Sequence, residues 1–203
     1  VSPWIRYLWG HLHERQGNTL KALGHYLSVL EDLPRDPWVH LRTGILQEQQ
    51  GEQEQALFHY KIASDAYPDS FRILFRKSIV TMNLLQEEES IRIHQKMIEL
   101  RPEHALSLNN LAWMYLTAKD RSLRQPEKAL ELALKSVELE ATIDHIDTLA
   151  EAYFQTGQTA KAIETLRKGI REASYPKSRE RYLEGQYRRF RKGDTSVSPP
   201  PVS

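Results

Sequence analysis

The fold class this sequence predicts is all-α: a right-handed solenoid of about five helix-turn-helix repeats, closed by a C-terminal capping helix. Three observations predict it. Small residues recur every 34 positions, as Gly10, Gly44, Ser78 and Ala112, with Ala150 following after 38. A second small series keeps that period through Ala22, Ala56 and Ser90, then continues as Ala129 and Ala162. Pro34, Pro68 and Pro102 keep it too. Separate series sharing one period are the mark of a stacked architecture.

Each series has its own physical cause. Small side chains let two helices approach closely. Gly17, Gly51 and Gly157 fall where a helix ends and reverses, a place that favours φ > 0. The prolines end the second helix, because Pro lacks a donor and restricts the residue before it. Between these marks apolar residues follow helical spacing, as in Leu20, Leu23, Leu27 and Leu30.

The repeats so marked cover about residues 3–36, 37–70, 71–104, 105–142 and 143–176. In the third, Lys77, Thr81, Leu85 and His94 occupy places expected to be apolar, aromatic, Gly and aromatic. The fourth carries an insertion, Asp120 to Arg124, which reads as a loop, with Pro126 opening the next helix. Residues 177–192 set Tyr182, Leu183, Tyr187 and Phe190 at helical intervals among many charges, as a helix covering the last apolar face would. The Pro-rich tail 193–203 is expected to be disordered.

With these residues in view the sequence resembles the tetratricopeptide repeat family over about residues 3–176. The resemblance is carried by Leu108, Leu111, Ala112, Tyr115 and Ala129 in the fourth unit, and by Ile146, Leu149, Ala150, Tyr153, Gly157 and Ala162 in the fifth. The second unit adds Gly44, Gly51, Ala56, Tyr60, Ala63 and Pro68, and the first Gly10, Gly17, Ala22, Tyr26 and Pro34. The family implies a superhelix whose first helices line a concave face. It includes co-chaperones that grip a C-terminal carboxylate with Lys and Asn from successive repeats. Arg72 and Arg76 fall at two of those basic places, but Tyr7, His11 and Arg42 replace the others, so that ligand is not expected.

Composition narrows the function classes. The 203 residues are 40% apolar and 27% charged, a soluble, folded balance, and no apolar run approaches the roughly 20 residues that span a bilayer. The chain has no Cys, which removes disulfides, thiol nucleophiles and thiolate metal sites. Its formal net charge is +1, yet residues 167–192 hold 10 Lys and Arg against 3 acids. Such a basic end could meet nucleic acid or anionic lipid. We read it instead as the charge that keeps a capping helix hydrated. The chain opens on Val1 with helical patterning almost at once, so a preceding segment is expected, one that could hold an anchor. The compartment, cytoplasmic or periplasmic, is left open.

The residues flanking the small positions are expected to face the groove. They are Trp4, Tyr7 and His11; then Trp38, Leu41, Arg42 and Ile45; then Arg72, Phe75, Arg76 and Ile79. Asn109, Asn110 and Trp113 follow, and finally Asp144, Asp147 and Glu151. Trp, Tyr and Arg dominate binding hot spots, and Arg76 with Asn110 could hold a backbone or carboxylate through paired hydrogen bonds.

Catalysis and metals find little support. His11 and His13 point apart on a helix, His94 reads as a core histidine, and Asp147 with Glu151 reads as a partner-facing patch. No phosphate loop, nucleophile elbow or zinc motif is present. The expectation is a non-catalytic scaffold or adaptor with no cofactor and no small-molecule substrate, binding a protein partner as a peptide or helix in its groove. Self-association through an uncapped N-terminal face is possible. The alternative is a regulatory or substrate-presenting segment of a larger enzyme or membrane-anchored assembly.

Overall fold

The computed structural model describes residues 1–196, so the expected disordered tail lies outside the described residues from 197 onward. The described chain is helical, without a strand. None of its helices is long and apolar enough to cross a membrane. The chain divides into two compact units, Val1–Leu100 and Arg101–Ser203.

The first unit holds three helical hairpins. They are α1 (Pro3–Arg15) with α2 (Thr19–Asp32), α3 (Pro37–Gln49) with α4 (Gln53–Ala66), and α5 (Phe71–Asn83) with α6 (Glu87–Leu100). Two more hairpins form the second unit, α7 (Ala105–Thr117) with α8 (Pro126–Leu139) and α9 (Ile143–Gln155) with α10 (Thr159–Glu172). A 3₁₀ turn over Lys177–Arg179 then leads into α11 (Glu180–Lys192). The inserted residues of the fourth repeat contain a 3₁₀ turn at Arg121–Leu123.

Local chemistry explains the boundaries. Pro3, Pro37 and Pro126 open their helices, where a missing N–H costs nothing. Asp36 caps α3 by accepting from the backbone N–H of Trp38 and Val39, both at 3.0 Å. Three hairpins turn through Gly17, Gly51 and Gly157 in the left-handed region. The residue after each glycine donates back into the preceding helix: Asn18 to His13 O at 2.9 Å, Glu52 to Gln47 O at 2.9 Å, Gln158 to Tyr153 O at 2.8 Å. The third hairpin makes the same turn without glycine, with Leu85 at φ 55° and Gln86 donating to Thr81 O at 2.9 Å.

The close approach of paired helices is enforced at Gly10 and Gly44. A Cβ on either would lie 2.7 Å from Cε1 of Tyr26 or Tyr60 respectively, the aromatic of the paired helix. In the third hairpin Ser78 and His94, both buried, stand at those two places. Lys77 sits half-buried at a place expected to be apolar, and Glu89 of α6 supplies its counter-charge at 2.7 Å. That pair lets a degenerate repeat keep the fold.

Candidate functional site

In the first unit the first helices bring several of the expected residues together. Trp4 stacks on Tyr7, ring centroids 5.6 Å apart, and Tyr7 in turn meets Tyr26 at 5.6 Å. Trp38, one repeat further on, leans on Tyr67 at 5.1 Å. Trp4 and Trp38 nonetheless remain 64% and 50% exposed. With Tyr7, Val29, Leu33 and Asp36 they line a cavity of about 280 Å³. Arg72 occupies the equivalent place in the third repeat, exposed and with no ionic partner among the described residues.

The other cations are engaged within the fold. Tyr26 donates its hydroxyl to Glu14 Oε2 at 2.7 Å, and Arg42 of the next repeat donates to Glu14 Oε1 at 3.0 Å. Tyr60, Glu48 and Arg76 repeat this arrangement 34 residues on, with Arg76 at 3.4 Å. Burial and the carboxylate contact push both tyrosine hydroxyls well above their usual range. Arg42 and Arg76, expected to reach for a ligand, instead tie consecutive repeats together. The signal was present: Glu14 and Glu48 share the period of the residues they bind. His11 lies beside the first of these relays, its Nδ1 3.9 Å from Glu14. Phe75 is half-buried against the cluster of Leu74, Ile93 and Met97.

In the second unit Asn110 and Trp113 are half-buried, whereas Asn109 is buried. Asp144 stays exposed and pairs with Arg179. Asp147 and Glu151 are not a surface patch, because α11 covers them. Glu151 is wholly buried and pairs with Arg189, while its other oxygen accepts from Gln155 at 2.7 Å. Asp147 Oδ2 accepts from the Tyr182 hydroxyl at 2.8 Å, and Oδ1 has no partner among the described residues. Desolvation pushes the Asp147 carboxyl up to about 7, against the Tyr182 hydrogen bond and nearby Arg189, with Glu151 adding to the rise.

The same burial is seen in the first unit. Leu41 and Ile45 of α3, expected in the groove at the matching positions, are buried in the core with Ile73 and Val80. At these two places in α3 and in α9 the side chains are enclosed within their unit, whereas Tyr7 and His11, their counterparts in α1, are half-buried. Arg179 and Arg189, counted with the basic C-terminal charges, are likewise buried and paired with Asp144 and Glu151.

The histidines also serve the interior. His40 and His59 are buried with Nδ1 atoms 2.7 Å apart, and His40 Nε2 lies 3.1 Å from Pro34 O. Burial, reinforced by His40, lowers the His59 pKa to about 4. His145 Nδ1 lies 2.7 Å from Glu140 O, within α9's N-terminal cap region. No group of three metal-ligating side chains occurs among the described residues.

Models of the tetratricopeptide repeat match residues 7–76 and 148–178, spans that fall on the hairpins just described. The chain is a tetratricopeptide-repeat protein. Its third repeat, where Lys77, Leu85 and His94 depart from the pattern, lies largely outside both spans. No curated protein matches the chain in sequence. Solved structures share its fold at low identity. MamA from Desulfovibrio magneticus RS-1 is 19% identical over 83% of this chain and 93% of its own, with a TM-score of 0.69. YrrB, described as a tetratricopeptide-repeat protein with an unusual peptide-binding site, is 16% identical over 81% and 83%, with a TM-score of 0.71. A thermophilic tetratricopeptide-repeat protein from Thermus thermophilus, TTC0263, is 17% identical over 94% and 100%, with a TM-score of 0.55.

Proposed function

We propose that this tetratricopeptide-repeat protein is a non-catalytic interaction scaffold whose first unit grips a peptide or helix of a protein partner. The observation that carries this reading is the cavity between Trp4, Tyr7 and Trp38. Two tryptophans at equivalent places on consecutive first helices stay in water although each could have been covered. Indole rings add large contact area with little side-chain entropy to lose, which is why they anchor interfaces. One large apolar side chain of the partner fits a cavity of about 280 Å³. Arg72, next in the series after Trp4 and Trp38, offers a forked cation to an acidic neighbour of that anchor.

Arg42 and Arg76, paired with Glu14 and Glu48, and the half-buried His11 and Phe75 are secondary candidate contacts of the first unit. In the second unit Asn110, Trp113 and Asp144 are further candidate contacts. Asn109, Asp147 and Glu151 are withdrawn because they are buried. The peptide site of YrrB supports the class of ligand, not its sequence.

Selection of displayed random 12-residue peptides against the chain tests this. Enriched peptides are expected to share a large apolar residue near an acid. Their affinity should fall at least tenfold in Trp4→Ala and in Trp38→Ala, and Arg72→Glu should reverse the acidic preference. Absence of enrichment, or peptides indifferent to all three changes, would move the function elsewhere.

A further inference from the structure

Trp4, Trp38 and Arg72 are each the second residue of their helix, in α1, α3 and α5. Exposure belongs to this position and not to a chain end, because Trp38 is exposed although a complete hairpin stands on either side of it. Each indole is braced by its own repeat. Trp4 stacks on Tyr7 with the planes 12° apart, and Trp38 leans on Tyr67. The other walls of the cavity between them include Pro3, Val29, Leu33 and Val39, all apolar. Neither indole N–H has an acceptor among the described residues. Two braced aromatic walls carrying two free donors suit a ligand with apolar side chains and unspent backbone carbonyls.

Spacing selects the backbone that supplies them. Arg42 and Arg76 tie successive first helices together, and the axes of packed helices lie about 10 Å apart. A polyproline II helix has three residues per turn at about 3.1 Å each, so it presents the same face about every 9 Å with its carbonyls open. A β-strand sets residues three apart on opposite faces. An α-helix repeats a face after two turns at a similar distance, but its interior carbonyls are spent on its own hydrogen bonds.

Given the peptide site proposed above, on which this rests, we infer that its ligand is a polyproline II segment, with prolines on Trp4 and Trp38 and an acidic residue on Arg72. Aromatic-lined grooves favour such segments because little backbone freedom is left to lose on binding. Charge places the acid. Asp36, the carboxylate on the cavity wall, accepts from the N–H groups of Trp38 and Val39 and keeps its negative charge. It repels an acid from the cavity itself. Arg72, one repeat beyond Trp38, is exposed and has no ionic partner among the described residues, so the acid falls one turn past the second proline. The motif is Pro-x-x-Pro-x-x-Glu, or Glu-x-x-Pro-x-x-Pro for the opposite chain direction.

Calorimetric titration of the full chain with synthetic 12-residue peptides tests this. The better of the two motifs should bind at least tenfold more tightly than a peptide of the same composition with its prolines four apart, and than one with Ala in place of both prolines. Trp38→Phe keeps an aromatic ring and removes the donor. It should weaken the motif several-fold with helicity unchanged, whereas Trp9→Phe, on another side of α1, should leave binding as it was. Equal affinity for the control peptides, no binding of either motif, or indifference to Trp38→Phe overturns the polyproline assignment. Random-peptide selection then separates the two readings. Enriched peptides that lack the proline spacing but depend on Trp4 and Trp38 would leave the peptide site standing with another backbone conformation, and no enrichment would remove the site as well.

Discussion

The two units solve one problem, how to couple successive helices, in opposite ways. In the first unit a half-buried glutamate is shared between a tyrosine of its own hairpin and an arginine of the next, twice over at Glu14 and Glu48. These relays stand beside apolar cores that already hold the helices together. In the second unit the carboxylates lie deep, at positions where the first unit places Leu41 and Ile45. Helix α11 then brings the counter-charge, Arg189, and the hydroxyl of Tyr182. Where another repeat follows, ionic contacts only trim the joint. Where the repeats end, a buried ionic match selects which helix docks, because any helix without an arginine there leaves Glu151 uncompensated.

The largest effect should come from breaking that match. Glu151→Ala leaves Arg189 with Gln186 and backbone carbonyls but no carboxylate. Removing one partner of a buried pair typically costs about 3–5 kcal/mol. Hydrogen exchange read by mass spectrometry should show α11 opening much more often. By contrast Glu48→Ala, which removes the equivalent carboxylate of the half-buried relay, should cost no more than about 1–2 kcal/mol. Equal penalties would erase the distinction between the units.

Acid should move the units in opposite directions. His59 sits at about 4 in the fold, below the ordinary 6.5. The unfolded chain therefore binds a proton that the first unit refuses, and stability falls as pH drops from 6.5 toward 4. Asp147 sits at about 7, above the ordinary 3.8. Here the folded state keeps the proton, and stability falls as pH rises from about 4 through 7. Each contribution is of the order of 3–4 kcal/mol. Thermal denaturation of Asp147→Asn should show a gain over the parent chain at pH 8 that closes by pH 4. His59→Asn should flatten the acid-side loss. A gain for Asp147→Asn that is the same at both pH values would mean that the carboxyl does not titrate in this window.

The helices and their pairing were legible because they rest on backbone chemistry that repeats: small residues at Gly10 and Gly44, turns at Gly17 and Gly51, terminating prolines. The candidate site was legible only in part. Trp4, Tyr7, Trp38 and Arg72 could be placed from the register alone. Arg42 and Arg76 look like groove residues in sequence because each cation's partner lies 28 positions earlier, at Glu14 and Glu48, whose shared 34-residue spacing is the one trace of the pairing. Asp147 and Glu151 look solvated for a related reason. Only the arrival of α11 buries them, and the basic residues of that helix read as a water-facing surface.

The smallest predicted effect concerns the one reversal in the first unit that departs from its neighbours. Gly17 and Gly51 adopt φ 74° and 81° without strain, while Leu85 makes the same turn at φ 55°. A branched side chain in the left-handed region costs roughly 1–2 kcal/mol. Leu85 is 64% exposed, so its side chain recovers little by packing. Leu85→Gly relieves that strain but adds freedom to the unfolded chain, which returns part of the gain. The net expectation is a stabilisation of about 0.5–1 kcal/mol, seen as a rise in Tm and slower exchange at the α5–α6 turn. Gly51→Leu should shift stability in the opposite direction by a similar or larger amount. If Leu85→Gly destabilises instead, the leucine must be packing against something in solution, and this turn becomes a contact surface.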